Sequence, residues 1–289
     1  MKIVLACHAI SSLGGSELYN YELSRTLKEL GHEVHLLSGH PIAKKPWPMT
    51  GRLLEAGVQL HELKSQPELP ECDIMLCSQP EITQYMCTKY PEVPKIQIVH
   101  SCLRSDGVIK HDSIKHYITV DHPTHRWTLP QVGVQMCTMI WNPIDAERFN
   151  TKCTGSFAKT TGIFQGSFHD DLRRPILNHI IKSCIERDWD LIVMNGGYDG
   201  FPTFHPNIKY VSPMFNTEHL LKNCDFTVGH GGRTTIEGWM CGKPGLVYKM
   251  VNPTNWTIQS IKEVPVPKVD RFNRFNVANN ILEVCKICQ

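Results

Sequence analysis

The sequence predicts an α/β protein made of two successive domains, each with a parallel sheet. Three observations carry that reading. The chain has 289 residues, about twice the ~150 of a common domain. Short apolar segments alternate with stretches of helical spacing along most of its length. The first forty residues also hold a complete βαβ unit, the arrangement parallel strands need for their crossover.

In that unit Lys2–Ala6 reads as a buried strand and Gly14-Gly15 lie in the loop after it. Leu18, Leu23, Leu27 and Leu30 then recur at helical spacing, Gly31 is placed to stop the helix, and Glu33–Leu37 forms the next strand. Pro41–Pro48 is basic and proline-rich, which reads as an exposed loop. Further strands are expected at Asp73–Ser78, Lys95–His100, His116–Val120 and Met136–Trp141. A second set follows at Gly162–Gly166, Leu191–Asn195, Ile208–Val211, Phe226–Gly229 and Gly245–Tyr248. Helices at Pro175–Arg187, Thr217–Lys222 and Thr234–Cys241 separate most of these. The domains are expected to span residues 1–145 and 146–289, joined through 142–160. A last helix, at about 271–285, follows Pro265-Val266-Pro267.

Composition excludes several classes. Hydrophobic residues at 41% and charged residues at 20% give enough apolar material for full cores, unlike a disordered, collagen-like or coiled-coil chain. A net charge of +2 provides no general field for nucleic acid. No apolar run approaches the roughly 20 residues of a transmembrane helix, and the opening residues do not form a signal peptide. Twelve cysteines then read as free thiols in a reducing, cytoplasmic setting. The only Cys-x-x-Cys pair, Cys285 and Cys288, is half a zinc site. Asp170-Asp171 are merely adjacent, not an Asp-x-Asp pair, so neither a metal nor a resident cofactor is expected.

Three constellations could carry chemistry. Gly14, Gly15, Ser16 and Glu17 lie between a strand and a helix, where backbone amides and the helix dipole favour an anion. His230, Gly231, Gly232, Arg233, Thr234, Thr235 and Glu237 repeat that arrangement in the second half. There the carboxylate of Glu237, about a turn into the helix, suits a ribose diol. His100 ends a strand, and ligands of open α/β sheets bind outside the carboxyl ends of strands.

The sequence resembles family 4 glycosyltransferases at three places, in the family's order. Gly14-Gly15-Ser16-Glu17 with Gly31-His32-Glu33-Val34 is similar to its opening pattern. Asn142-Pro143-Ile144-Asp145, followed by Arg148-Phe149, is similar to its interdomain segment. Glu237-Gly238-x-Met240-x-Gly242-Lys243-Pro244 is similar to its Glu-Ala-Met-x-x-Gly-x-Pro run. His230-Gly231-Gly232 is closer to the His-Gly-Gly turn of other groups with the GT-B fold. That fold has two Rossmann-like doubly wound domains facing across a cleft, with a C-terminal helix crossing back to the first domain.

The resemblance implies a metal-independent transferase that moves a sugar from a nucleotide-diphosphate donor to an acceptor hydroxyl, with retained configuration. Gly14 and Gly15 would close over the phosphates from the acceptor-side N-terminal domain. Donor contacts are expected from Gly166, Ser167, Arg173, Arg174, Gly196, Val211, Ser212, Met214, His230, Gly231, Gly232, Arg233, Thr234, Thr235 and Glu237. His100 would orient sugar or acceptor. If configuration is inverted, His100 or Glu17 becomes the base. Eight residues before Glu237 stands Gly229, not the family's usual first Glu, and Gly166-Ser167 replaces its Gly-Arg. A nucleotide-sugar epimerase or hydrolase of the same fold, or a lapsed nucleotide-sugar binding protein, are the alternatives. The acceptor stays open among glycan, lipid, small molecule, protein and modified DNA base. Arg104, Lys110, Lys115 and Arg126 beside Trp127 read as a solvated face, or less simply as a polyanion contact in the acceptor domain.

Overall fold

The computed structural model describes residues 1–10, 13–42, 48–65, 67–101, 107–152, 155–166, 174–195, 205–212, 214–229, 232–250, 258–264 and 266–289. They form two compact units: Met1–Pro143 with Asp270–Gln289, and Ile144–Val269.

The first unit holds β1 (Lys2–Cys7), α1 (Gly15–Glu29), β2 (Glu33–Ser38), α2 (Pro48–Glu55), β3 (Gln59–Glu62), β4 (Ile74–Ser78), α3 (Pro80–Lys89), β5 (Lys95–Val99), β6 (Ile114–Thr119), α4 (His122–Val132) and β7 (Cys137–Met139). α8 (Arg274–Cys288) joins it from the end of the chain. Its sheet has the order β3-β2-β1-β4-β5-β6-β7, and every pairing is parallel. Order reverses at β1, whose neighbours are β2 and β4, and such a switch point opens a crevice at the strand ends. Ile3 to Cys7 are all buried, as expected of a strand covered on both faces. Val4 and Ala6 pack with Met75 and Cys77 of β4 and with Ile82 and Met86 of α3. α1 buries Tyr19, Leu23 and Leu27, then ends where Gly31 takes φ of 87° and His32 N–H bonds Leu27 O at 3.1 Å.

The second unit holds β8 (Thr161–Gly166), α5 (Arg174–Glu186), β9 (Asp190–Asn195), β10 (Ile208–Val211), α6 (Glu218–Asn223), β11 (Phe226–Gly229), α7 (Arg233–Met240), β12 (Gly245–Met250) and β13 (Ile258–Val264). Its sheet runs β10-β9-β8-β11-β12-β13, parallel except for the antiparallel β13. Leu177, Ile180 and Ile181 of α5 pack on Phe164, Leu191 and Val193 of the sheet.

Several expected boundaries shift. The strand expected over Met136–Trp141 shortens to three residues, because Gly133 at φ 88° leads into a 3-10 turn at Val134–Met136. The last helix starts at Arg274, after a 3-10 turn at Asp270–Phe272, and runs to Cys288. Pro48, expected in a loop, opens α2, where its missing N–H costs nothing; residues 43–47 of that loop lie outside the described residues.

Candidate functional site

Four strands of the first sheet deliver polar groups to its carboxyl edge. His100 follows β5, and its Nε2 lies 3.1 Å from Ser78 Oγ at the end of β4. Ser78 Oγ donates to Asn20 Oδ1 at 3.3 Å, and Asn20 Nδ2 donates to Ser16 O at 2.8 Å. With the serine proton committed to Asn20, the network assigns the proton of His100 to Nε2, leaving Nδ1 as an acceptor. The Tyr19 ring meets the imidazole edge-on at 4.9 Å. Burial pushes the His100 pKa down to about 4, so the ring is neutral at physiological pH. It is a weak base and a good orienting group.

Beside it, His8 follows β1 and His40 lies just past β2, with their Nε2 atoms 2.8 Å apart and both rings exposed. His8 N–H donates to Gln79 Oε1 at 3.0 Å, and Gln79 holds a left-handed φ of 65°. Such a conformation is unfavourable for a residue with a side chain. His8, His40, Gln79 and Ser78 were not singled out by the sequence reading. Their only sequence signal is position, at a strand end or within two residues of one.

Glu17, named as a possible base, is half-buried in the first turn of α1. It accepts from Ser16 Oγ at 2.9 Å and folds against Gly14 so closely that a methyl group there would overlap its Oε2. A first-turn carboxylate complements the helix dipole. Gly15 is the first residue of α1.

Lys110 and Lys115 flank the start of β6, the amino end of that strand, opposite the edge where His100 lies. They line a recess of about 580 Å³ with His111, Asp112 and Gln131. Both lysines are exposed, in keeping with the solvated face expected of them. Trp127 packs near Cys87, Val99 and Tyr117, Arg126 is exposed on α4, and Arg104 lies outside the described residues.

In the second unit, β8, β9, β10 and β11 end at Gly166, Asn195, Val211 and Gly229. Val211 is half-buried, while Ser212 and Met214 are exposed. Gly232 precedes α7 without a side-chain cap. Arg233 opens the helix, and its Nε lies 2.8 Å from Glu237 Oε1, with both side chains buried. Burial pushes the Glu237 carboxyl above the ordinary range, against the pull of Arg233 and then Arg148. Arg148 Nη2 in turn donates to Phe215 O at 2.7 Å and Glu218 Oε2 at 3.0 Å, its guanidinium 4.2 Å over the Phe215 ring. Thr235 is buried with its hydroxyl against Gly229, and Thr234 is half-buried. Ser167, Arg173, Gly196, His230 and Gly231 lie outside the described residues, as does the side chain of Arg174.

Among the described residues no three His, Cys, Asp or Glu side chains gather as a metal site, and no helix is long and apolar enough to cross a membrane.

Two Rossmann-like units with these strand orders define the GT-B fold. The sequence matches no family model and no curated protein. Solved structures do match. Anabaena HepE, solved in complex with UDP-glucose, aligns with a TM-score of 0.66 at 11% identity, covering 100% of this chain and 92% of that one. The lipopolysaccharide outer core galactosyltransferase WaaB aligns at 0.59 and 14% identity, covering 97% and 91%. The UDP-GlcNAc 2-epimerase of Methanocaldococcus jannaschii aligns at 0.54 and 10% identity, covering 99% and 100%. At these identities the likeness is one of fold.

Proposed function

We propose that the chain is a glycosyltransferase that moves a sugar from a nucleotide-diphosphate donor to an acceptor hydroxyl, without a metal and with retained configuration. The observation that carries this reading is the Arg233–Glu237 pair at the start of α7. It puts one group suited to phosphate and one suited to a ribose diol beside a helix N-terminus at the carboxyl edge of the second sheet. The UDP-glucose complex of Anabaena HepE supports the choice of ligand class.

On this reading the second unit holds the donor and the first holds the acceptor. As the bond from the anomeric carbon to the diphosphate breaks, negative charge collects on the leaving oxygen. The α7 amides, Arg233 and the arginines at 173 and 174 offset it. The acceptor oxygen bonds to the anomeric carbon, and its proton passes to the leaving phosphate. Neutral His100 orients a substrate hydroxyl through Nδ1 and need not take that proton. The ten described cysteines are all free thiols, which fits a cytoplasmic setting.

The epimerase neighbour favours a second reading, in which the donor is rearranged without an acceptor. A panel of isotope-labelled nucleotide sugars separates them. Transfer puts the label on an added acceptor, hydrolysis puts it on water, and epimerisation returns it in a rearranged donor. Transfer is expected to persist in excess EDTA. Loss there, restored by magnesium or manganese, would overturn the metal-free account.

A further inference from the structure

The Arg233–Glu237 pair stands against the polarity of its own helix. Arg233 is the first residue of α7, so a cation sits at the positive end of the dipole, and Glu237 follows one turn later. The favourable order for charges four apart is the reverse. The first turn has no acidic residue, and Gly232 offers no side-chain acceptor. Yet the two side chains are only 7% and 4% exposed.

Breaking a buried ion pair strands each charge in a poor solvent, so the two hold one another. Arg148 also acts on Glu237 through its charge, while its Nη2 donates to Glu218 and Phe215 O. Arg233 is therefore the hydrogen-bonding counter-ion of Glu237.

We propose, resting on the nucleotide-sugar reading, that this pair is a selectivity lock favouring ligands with both a diol and a diphosphate over inorganic phosphates. A nucleoside diphosphate satisfies both charges, since its phosphate takes Arg233 while its ribose hydroxyls donate to Glu237. Pyrophosphate draws Arg233 away and leaves Glu237 buried without a donor. Uridine occupies Glu237 and brings no anion to Arg233. The lock offsets the general attraction of a helix N-terminus for any small anion.

Calorimetric titration of UDP, uridine and inorganic pyrophosphate into the wild-type chain and Glu237→Gln tests this. Glutamine keeps the shape and removes the charge that Arg233 Nε is paired with. Pyrophosphate is expected to bind the variant at least tenfold more tightly, while UDP does not gain. Unchanged or weaker pyrophosphate binding by a folded variant overturns the lock. A crystal structure of the wild-type chain with UDP is a second test, independent of that variant's folding. The lock requires Arg233 on a phosphate oxygen and Glu237 on the ribose. UDP bound beside an intact Arg233–Glu237 pair overturns the lock but leaves the nucleotide reading standing. Absence of UDP binding overturns the nucleotide reading, and the lock with it.

Discussion

His100 and Glu237 show how far single residues were legible. Each was found by its place in a pattern, one at a strand end and one a turn into a helix. Neither pattern revealed the partner that sets its chemistry. His100 meets Ser78 across 22 positions, and His8 meets Gln79 across 71, because β5 and β1 both border β4. Only the strand order brings them together. The neutral His100 gives two expectations. His100→Ala should lower turnover at least tenfold, about 1.4 kcal/mol of barrier, with nucleotide affinity nearly unchanged. Steady-state rates with parallel binding titrations check this, and near-normal turnover would leave the residue a structural histidine. The second concerns acid. The unfolded ring titrates near 6.5 and the folded one near 4. Between those values the unfolded chain takes up a proton that the folded chain does not, so stability falls as pH drops from 6.5 towards 4. Allowing for the ring's partial exposure, the loss is roughly 2 kcal/mol. Urea unfolding of His100→Gln at pH 7 and pH 4 should show a loss smaller by that amount; an equal loss in both proteins would refute the assignment.

Elements with strong periodicity were read to within a few residues, as with β1, α1, β2, β8, α5 and β11. Those missed had their signal hidden. α4 contains Pro123 and Pro130, which mask a helix that Asp121 nonetheless caps through Thr124 N–H at 2.8 Å. α3 starts at Pro80, directly after the strained Gln79, and was not assigned from the sequence. β3 is a four-residue edge strand with no fully buried residue, so it carries little apolar signal, and β13 was likewise not assigned from the sequence. Fit between elements was less visible still. Gly238 was noticed as part of a sequence pattern, but its physical task is to let α7 lie directly on β11. A Cβ there would overlap Thr227 Cγ2 and come 2.7 Å from its Oγ1. Thr227 is short, β-branched and fully buried, so it cannot swing aside. Gly238→Ala should therefore cost about 1–3 kcal/mol by overpacking. Combining it with Thr227→Ala should cost less than the sum of the two single changes, since the contact is shared. Chemical denaturation of all four proteins reads this directly, and strict additivity would disprove the contact.

At the scale of the whole molecule, the first unit is closed by both ends of the chain. Residues 270–289 belong with Met1–Pro143, although 126 residues of the second unit intervene between Pro143 and Asp270. The residues of α8 mark only a helix after a proline-rich segment, and it was the family resemblance that implied its return to the first domain, because that seat depends on contacts made across the entire length. α8 buries Val277, Ala278, Ile281 and Leu282 and packs on α1. Arg274, 3% exposed, donates from Nη1 to Glu29 Oε2 at 2.7 Å and to Thr26 Oγ1 at 3.0 Å. Glu29 is partly exposed and keeps Arg25 as a partner, so removing Arg274 does not strand a fully buried carboxylate. Arg274→Ala should therefore cost about 1–3 kcal/mol, below the usual penalty for breaking a deeply buried pair. The loss should be local. Hydrogen exchange should quicken at the amides of α1, α8 and β1, whose unit depends on the returning helix, and stay unchanged in β8 and β11. Equal acceleration in both sets would mean that the two units unfold as one body, and would overturn the view that α8 closes the first unit alone.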